Sequence, residues 1–139
     1  MGFKYWHGSH TKYRLMYHLV FLPKYRKRVL KGKIAKKLHQ IFYQGATVNQ
    51  WWIEELKVMP DHVHLLIQLQ AKTSVSKAVQ SLKGGSSRQL RKECPEIKEF
   101  LWGDSFWADG YFAETVGTRN YTLVKKYIDD NKEIRPHVV

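Results

Sequence analysis

The 139-residue chain has one cysteine, Cys94, which excludes an intramolecular disulfide scaffold and any zinc cluster built from several cysteines. So little cysteine favours a reducing, cytoplasmic setting. No apolar run approaches the roughly 18 residues that a membrane-spanning helix needs, so we expect no membrane partner. No linker, internal repeat or low-complexity tract divides the sequence, which predicts one domain over residues 1–139 with a loose leader at 1–10.

Acidic residues are missing from two long stretches. The first 53 residues contain eleven Lys or Arg and no Asp or Glu, and residues 72–92 are also free of acids. With a formal net charge of +12, the chain is expected to bind polyanions through counterion release. Its aromatic content of 14% suits stacking on single-stranded bases. Nucleic acid is therefore the predicted partner, and a merely solvated basic surface is the alternative.

Hydrophobic periodicity predicts seven elements in the order β-α-β-β-α-β-α. The strands are predicted at 13–21, 51–59, 62–70 and 111–116, and the helices at 33–47, from Ser74 to just before Pro95, and from Asn120 to about residue 133. An α+β fold, a ferredoxin-like antiparallel sheet with an added C-terminal helix, is the simplest arrangement for this order. In that topology the first and third strands are central, so the strand at 62–70 lies mid-sheet.

Two histidines two residues apart open the third predicted strand. Residues at i and i+2 of a strand point the same way, so His62 and His64 share a face while the apolar positions 63, 65, 67 and 69 fill the other. Two imidazoles at this spacing can bind one divalent metal and leave positions open for substrate. The alternative is a pair of half-buried histidines that are hydrogen-bonded to their neighbours.

The last predicted helix combines a tyrosine with an asparagine on one face. Helical spacing groups Leu123, Val124, Tyr127, Ile128 and Asn131 on the face that turns inward. An inward Asn131 needs polar partners, which a metal or a phosphate would supply. The plainer interpretation is that Tyr127 belongs to the core.

Four segments together resemble one known family. They are Tyr-His-Leu-Val-Phe at 17–21 with Pro-Lys-Tyr-Arg at 23–26, Val-Met-Pro-Asp-His-Val-His-Leu-Leu at 58–66, Leu-Lys-Gly at 82–84, and Thr-Val-Gly at 115–117 followed by Lys-Tyr-Ile at 126–128. In this combination the chain resembles the HUH single-tyrosine transposases of the smallest bacterial and archaeal insertion sequences. The resemblance covers most of the sequence.

The resemblance implies a metal site and a nucleophile. His62 and His64 would bind Mg²⁺ or Mn²⁺, and Tyr127 would attack DNA. A Gln four residues after the tyrosine commonly completes the metal site in the family, whereas this chain has Asn131 there, whose shorter side chain still carries an amide oxygen. Gly117 is a candidate hinge for the tyrosine helix, with a simple turn as the alternative.

The resemblance also implies a substrate and an assembly. The substrate would be single-stranded DNA with hairpins near the ends of the element, cut through a 5′-phosphotyrosine intermediate that leaves a free 3′-OH. The enzyme would act as a homodimer, with each tyrosine helix serving the partner's histidines. It would work in a bacterial or archaeal cytoplasm, associated with the nucleoid when bound. The candidate DNA contacts are Lys24, Arg26, Lys27, Arg28, Lys83, Arg88 and Arg91, whose alternative is a solvated face.

Three other functions stay open on the sequence alone. A non-catalytic module that binds single-stranded nucleic acid would not need the histidines and the tyrosine to converge. A domesticated relative that nicks genomic hairpin repeats would use identical chemistry. A hydrolytic metal nuclease would release a free 5′-phosphate with no DNA attached to protein. If Tyr127 is not the nucleophile, Tyr121 and Tyr111 are the next candidates.

Overall fold

The computed structural model describes residues 5–7, 12–101 and 105–130. The strands are β1 (Trp6–His7), β2 (Lys12–Tyr13), β3 (Met16–Phe21), β4 (Trp52–Met59), β5 (His62–Gln68) and β6 (Phe112–Val116). The helices are α1 (Gly32–Asn49), α2 (Val75–Glu93), α3 (Lys98–Leu101) and α4 (Tyr121–Asp129), with short 3-10 turns at Lys24–Arg26 and Pro95–Ile97. Within these residues no helix combines the length and the apolar character needed to cross a membrane.

The main sheet has four antiparallel strands in the order β4-β5-β3-β6. The predicted first and third strands, β3 and β5, are therefore central. This confirms the predicted α+β class with its antiparallel sheet, its two helices between strands and its added C-terminal helix.

The predicted strand 13–21 is divided in two. β2 pairs with β1 in a separate ribbon, where Trp6 lies opposite Tyr13, and β3 begins only at Met16. Between them the backbone carbonyl of Leu15 accepts a hydrogen bond from the Leu69 amide at 3.0 Å. A two-residue period indicates an extended chain but does not identify its pairing partner, which is why the break escaped prediction.

One face of the sheet carries the larger core. The odd-numbered strand positions Leu19, Phe21, Val63, Leu65 and Ile67 are all fully buried there. They pack against α1 and α2, whose inward residues recur at helical spacing. These are Ile34, Leu38, Phe42 and Ala46 on α1 and Ala78, Val79, Leu82 and Leu90 on α2. The predicted helix at 33–47 is confirmed and extends by one residue at its start and two at its end.

The opposite face carries a smaller core under α4. Met16, Leu66 and Val116 of the sheet contact the residues that α4 buries, which are Tyr121, Val124 and Ile128. The predicted inward face is therefore partly wrong, because Leu123 and Tyr127 are 57% and 39% exposed. Tyr121 in the first turn sets the i, i+3, i+7 contact stripe of the helix, and this rotates Leu123 and Tyr127 away from the sheet.

Asn120 directly precedes α4 at the N-cap position but does not cap the helix with its side chain. Its Oδ1 instead accepts a hydrogen bond from the backbone N–H of Gly117 at 2.8 Å, which closes the turn between β6 and the helix. The predicted C-terminal extension of the helix to about residue 133, including Asn131, lies outside the described residues.

The predicted cap at the start of α2 is confirmed and makes the helix testable. Ser74 Oγ accepts a hydrogen bond from the Lys77 amide at 3.0 Å. Ser74→Ala should lower the free energy of unfolding by about 1 kcal/mol, because that amide loses its partner. Ser76→Ala is the matched control, since Ser76 is exposed within the helix and alanine suits helices well. Urea unfolding followed by circular dichroism measures both, and equal stability of the two variants would contradict the capping role.

Candidate active site

His62 and His64 lie side by side on the face of β5 that the helices α1 and α2 do not cover. The intervening Val63 belongs to the larger core, whereas Leu66, two residues beyond His64, lies under α4. The predicted sidedness of the two histidines is therefore confirmed. Their ring centroids are 4.8 Å apart and their planes perpendicular. His64 is fully buried and the His62 side chain is 18% exposed, so solvent reaches the pair from the His62 end of the strand.

His64 is held from the neighbouring strand. Its Nδ1 lies 3.1 Å from Nε2 of His18 on β3, and the two rings are nearly parallel, at 20°, with centroids 5.3 Å apart. His18 Nδ1 in turn lies 3.2 Å from Oε1 of Glu114 on β6. The three residues thus form a row across β5, β3 and β6, because His18 is directly opposite Glu114 and diagonal to His64.

His18 and Glu114 were not identified from the sequence. One signal was available: His18 interrupts the apolar strand 16–21 at a position of the same parity as Met16, on the face opposite Leu19 and Phe21. For Glu114 there was none, because its role depends on which strand lies beside β3.

His62 is held by its own neighbour in the turn between β4 and β5. Its Nδ1 lies 2.7 Å from Oδ1 of Asp61, and Asp61 Oδ2 accepts a hydrogen bond from Arg26 Nε at 3.0 Å. Burial acts to raise the pKa of Asp61, but the hydrogen bonds with His62 and Arg26 outweigh it and lower that pKa overall. Asp61 is therefore a carboxylate at neutral pH, able to accept from both partners.

Both buried imidazoles are neutral at physiological pH. Burial lowers the pKa of His64 to about 3, and the proximity of His62 and His18 acts in the same direction. Burial also lowers the pKa of His18, against the opposing effect of Glu114. A neutral imidazole keeps one nitrogen lone pair, which is the form that binds a metal.

The two histidines fit a divalent metal. His64 Nε2 is buried and has no hydrogen-bond partner among the described residues. At His62 the Nδ1 is engaged with Asp61, which leaves Nε2 as the second nitrogen donor. Those same residues contain no group of three or more His, Cys, Asp or Glu able to hold a metal, so a further ligand must come from another kind of group. Asn131, the predicted third ligand, lies outside them.

The tyrosines that could act as a nucleophile differ sharply in environment. Tyr127 is 39% exposed on α4, whose inner side packs beside the histidine face of the sheet. Tyr121 is buried, and its hydroxyl donates to Glu54 at 3.4 Å. Burial and the Glu54 carboxylate raise the pKa of Tyr121 to about 12, which disfavours loss of its proton. Tyr111 is partly buried against the larger core.

The predicted DNA contacts fall into separate places. The four basic residues at 24–28 follow β3, and the Arg26–Asp61 pair joins them to the histidine turn. Arg88 and Arg91 lie on α2, on the other side of the sheet. The Lys83 ammonium donates to the backbone carbonyls of Ala108 and Gly110, so it anchors the loop before β6.

Gly117 lies in the turn that joins β6 to α4. Space around its Cα is open, because no atom outside its immediate neighbours lies within 4 Å of the place that a Cβ would take, and its φ lies outside the left-handed region. Its hinge role stays a prediction.

Known proteins resemble this chain over most of its length. The family model described as "Transposase IS200 like" matches residues 11–131. The ISDra2 transposase TnpA of Deinococcus radiodurans is 36% identical over 126 residues, covering 91% of this chain and 90% of that protein. The transposase of insertion sequence IS200 from Salmonella typhimurium is 32% identical over 125 residues, covering 90% and 82%.

Two solved structures share the fold. A crystal structure of a candidate transposase from D. radiodurans R1 has a TM-score of 0.76 and 32% identity, covering 93% of this chain and 99% of that one. A REP-associated tyrosine transposase bound to a REP hairpin has a TM-score of 0.66 and 14% identity, covering 90% and 72%.

Proposed function

The chain belongs to the IS200-like transposase family, and from this premise we propose that it cleaves and rejoins single-stranded DNA through a covalent link to Tyr127. The observation that carries the proposal is the buried Nε2 of His64, which has no partner in the described part of the chain and lies beside His62 on the sheet face next to α4. A buried polar atom without a partner is costly, so a site that retains one is suited to a ligand.

His62, His64 and Asn131 would hold Mg²⁺ or Mn²⁺. Such an ion, when bound, neutralises charge on the scissile phosphate and stabilises the departing 3′ oxygen. Hard cations accept imidazole donors in mixed sites and favour oxygen ligands, which the Asn131 amide and the DNA phosphate would supply. The carboxylate of Asp61 fixes the His62 ring so that its Nε2 stays available.

Tyr127 would be the nucleophile. Its phenolic oxygen forms a bond to phosphorus while the bond from phosphorus to the 3′ oxygen breaks. The phenol gives up its proton to water, and the departing 3′ oxygen takes up a proton to become a hydroxyl. The products are a 5′-phosphotyrosine and a DNA end with a free 3′-OH. Attack on the phosphotyrosine by the 3′-OH of another strand reverses the step, so rejoining needs no ATP. The exposure of Tyr127 supports this role over the buried Tyr121.

The proposed substrate is single-stranded DNA with a hairpin near the cleavage site. A hairpin is what the REP-associated tyrosine transposase, a structural neighbour, binds in its solved structure. The acid-free turn at 24–28 supports the same substrate here, because Arg26 links it to the histidine turn and Arg28 is exposed beside it. Phosphates that follow this turn would reach the two histidines.

A homodimer is the proposed assembly, with the tyrosine helix of one protomer serving the histidines of the other. β4 and β6 are the edges of the four-stranded sheet in the described part of the chain, and an edge strand can pair with a second copy. The turn at Gly117, closed by the Asn120 side chain, is where α4 would change its position.

Tyr127→Phe should fold and bind hairpin DNA normally but form no covalent adduct, because phenylalanine has no oxygen to attack phosphorus. Denaturing gel electrophoresis with 5′- or 3′-labelled substrate and Mg²⁺ detects the adduct. Wild type should retain the label only when it lies 3′ of the cut. Tyr121→Phe is the control and should keep forming the adduct. An undiminished adduct from Tyr127→Phe would disprove the assignment, and cleavage by wild type without an adduct would favour a hydrolytic nuclease.

His62→Ala and His64→Ala should each abolish Mg²⁺- or Mn²⁺-dependent cleavage and leave hairpin binding largely intact, since the ring nitrogens are the proposed donors. His39→Ala removes an exposed histidine from α1 and should cleave like wild type. Cleavage assays across a metal titration, with fluorescence anisotropy for DNA binding, make the comparison. Full metal-dependent activity in either site variant would exclude the metal centre.

Arg28→Ala should flatten the salt dependence of hairpin binding. Losing one phosphate contact reduces the slope of log K against log salt concentration by about 0.7–0.9. Arg88→Ala removes the same charge from an exposed position on the opposite side of the sheet and should reduce the slope less. Binding isotherms at several salt concentrations measure both slopes. A larger change for Arg88 would move the DNA path to α2.

A further inference from the structure

His64, His18 and Glu114 are joined in a row by two contacts between polar side-chain atoms. His18 and His64 are both fully buried, and they meet through ring nitrogens 3.1 Å apart. Glu114 ends the row with a carboxylate oxygen 3.2 Å from His18 Nδ1, and its side chain is 45% exposed. A buried imidazole pair can be stable in only a few protonation patterns, because each contact needs one donor and one acceptor.

The Glu114 carboxylate determines which ring nitrogen of His18 and of His64 carries the hydrogen. An ionised Glu114 has no proton to give, so His18 Nδ1 must carry the hydrogen in that contact. Neutral His18 then presents a lone pair at Nε2, and only a proton on His64 Nδ1 can satisfy it. The lone pair of His64 is thereby moved to Nε2, the atom without a partner among the described residues.

The reverse tautomer would be penalised at the contact between the two rings. With the proton on His64 Nε2, the lone pairs of His64 Nδ1 and His18 Nε2 would face each other at 3.1 Å. His64 Nε2 is buried without a partner in the described part of the chain in either tautomer, so the contact with His18 decides between them. Two buried lone pairs that face each other are both left unsatisfied, which is costly.

We infer that His18 and Glu114 are positioning residues that hold His64 in the Nδ1–H tautomer, with its Nε2 lone pair available to bind a metal. This inference deepens the proposed function and rests on it, since the proposed metal would be the partner of His64 Nε2. Edge-on packing of Phe112 against the His18 ring, at 5.7 Å between centroids, keeps His18 in place from the β6 side. The Nδ1 of His62 is held in the same way by the Asp61 carboxylate. A carboxylate therefore fixes the Nδ1 proton of both histidines, directly at His62 and through the His18 ring at His64.

The first measurement determines the tautomer of His64 directly. In the full chain labelled with ¹⁵N-histidine, free of metal and DNA, long-range ¹H–¹⁵N correlation spectra distinguish a protonated from an unprotonated ring nitrogen. Wild-type His64 should carry its proton on Nδ1. Glu114→Lys replaces the acceptor by a donor. His18 should then carry its proton on Nε2 and donate to His64 Nδ1, which moves the His64 proton to Nε2. Glu114→Gln retains an acceptor oxygen and should keep the wild-type pattern.

Metal affinity gives the second measurement. Titration calorimetry with Mn²⁺ should show binding by Glu114→Lys weakened about 10- to 100-fold, as expected when the outer partner of a metal-binding histidine is lost. Glu114→Gln should stay close to wild type. Glu96→Lys makes the same change of charge at an exposed residue away from the sheet and should have little effect. Because the Glu114 side chain is nearly half exposed, these variants should fold, which circular dichroism checks.

The outcomes separate this inference from the proposed function. A wild-type His64 protonated on Nε2 would overturn the inference. An unchanged His64 tautomer and unchanged Mn²⁺ affinity in Glu114→Lys would also overturn it, even with the metal centre intact. Failure of wild type to bind Mn²⁺ at all would instead refute the metal centre itself and, with it, the purpose assigned to the row. His18→Phe, which retains a ring but removes both nitrogens, should lose affinity as Glu114→Lys does.

Discussion

The alternation of side chains along β5 is the constraint on which the remaining structure depends. A shift of one residue in its pairing would send Val63, Leu65 and Ile67 to the face under α4 and bury both histidines among the apolar residues of α1 and α2. Burying a polar ring without partners is expensive, so the present register is strongly favoured. The same register places His64 diagonally from His18, which supplies the hydrogen bond that offsets its burial.

The two faces of the sheet differ in how far helices cover them. Both long helices lie on one face and contribute most of the apolar burial, whereas the nine-residue α4 covers only part of the other. The histidine end of β5 lies next to the basic turn that follows β3. That turn is joined to the β4–β5 turn by the Arg26–Asp61 pair and by a 3.0 Å hydrogen bond from the Leu30 amide to the Pro60 carbonyl.

Sequence periodicity predicted most of the fold because each element carries its own apolar pattern. The shared face of His62 and His64 and the Ser74 cap follow from local spacing, and the central position of β5 follows from the element order through the ferredoxin-like topology. What escaped prediction depends on distant partners. The row from His64 to Glu114 needs the order of three strands, and Lys83 finds its carbonyl partners 25 and 27 residues along the chain. A basic residue in an acid-free stretch gives no sign of such an internal role.

Two tyrosines in one short helix illustrate how environment assigns chemistry. Tyr121 points into the smaller core, where Glu54 accepts its hydroxyl hydrogen and burial with that carboxylate raises its pKa to about 12, so it is a structural anchor for α4. Six residues later, Tyr127 turns away from that core and is 39% exposed. Six positions correspond to about 600° of helix rotation, which leaves the two side chains about 120° apart. α4 therefore packs on the sheet through Tyr121, Val124 and Ile128, and Tyr127 lies outside this contact.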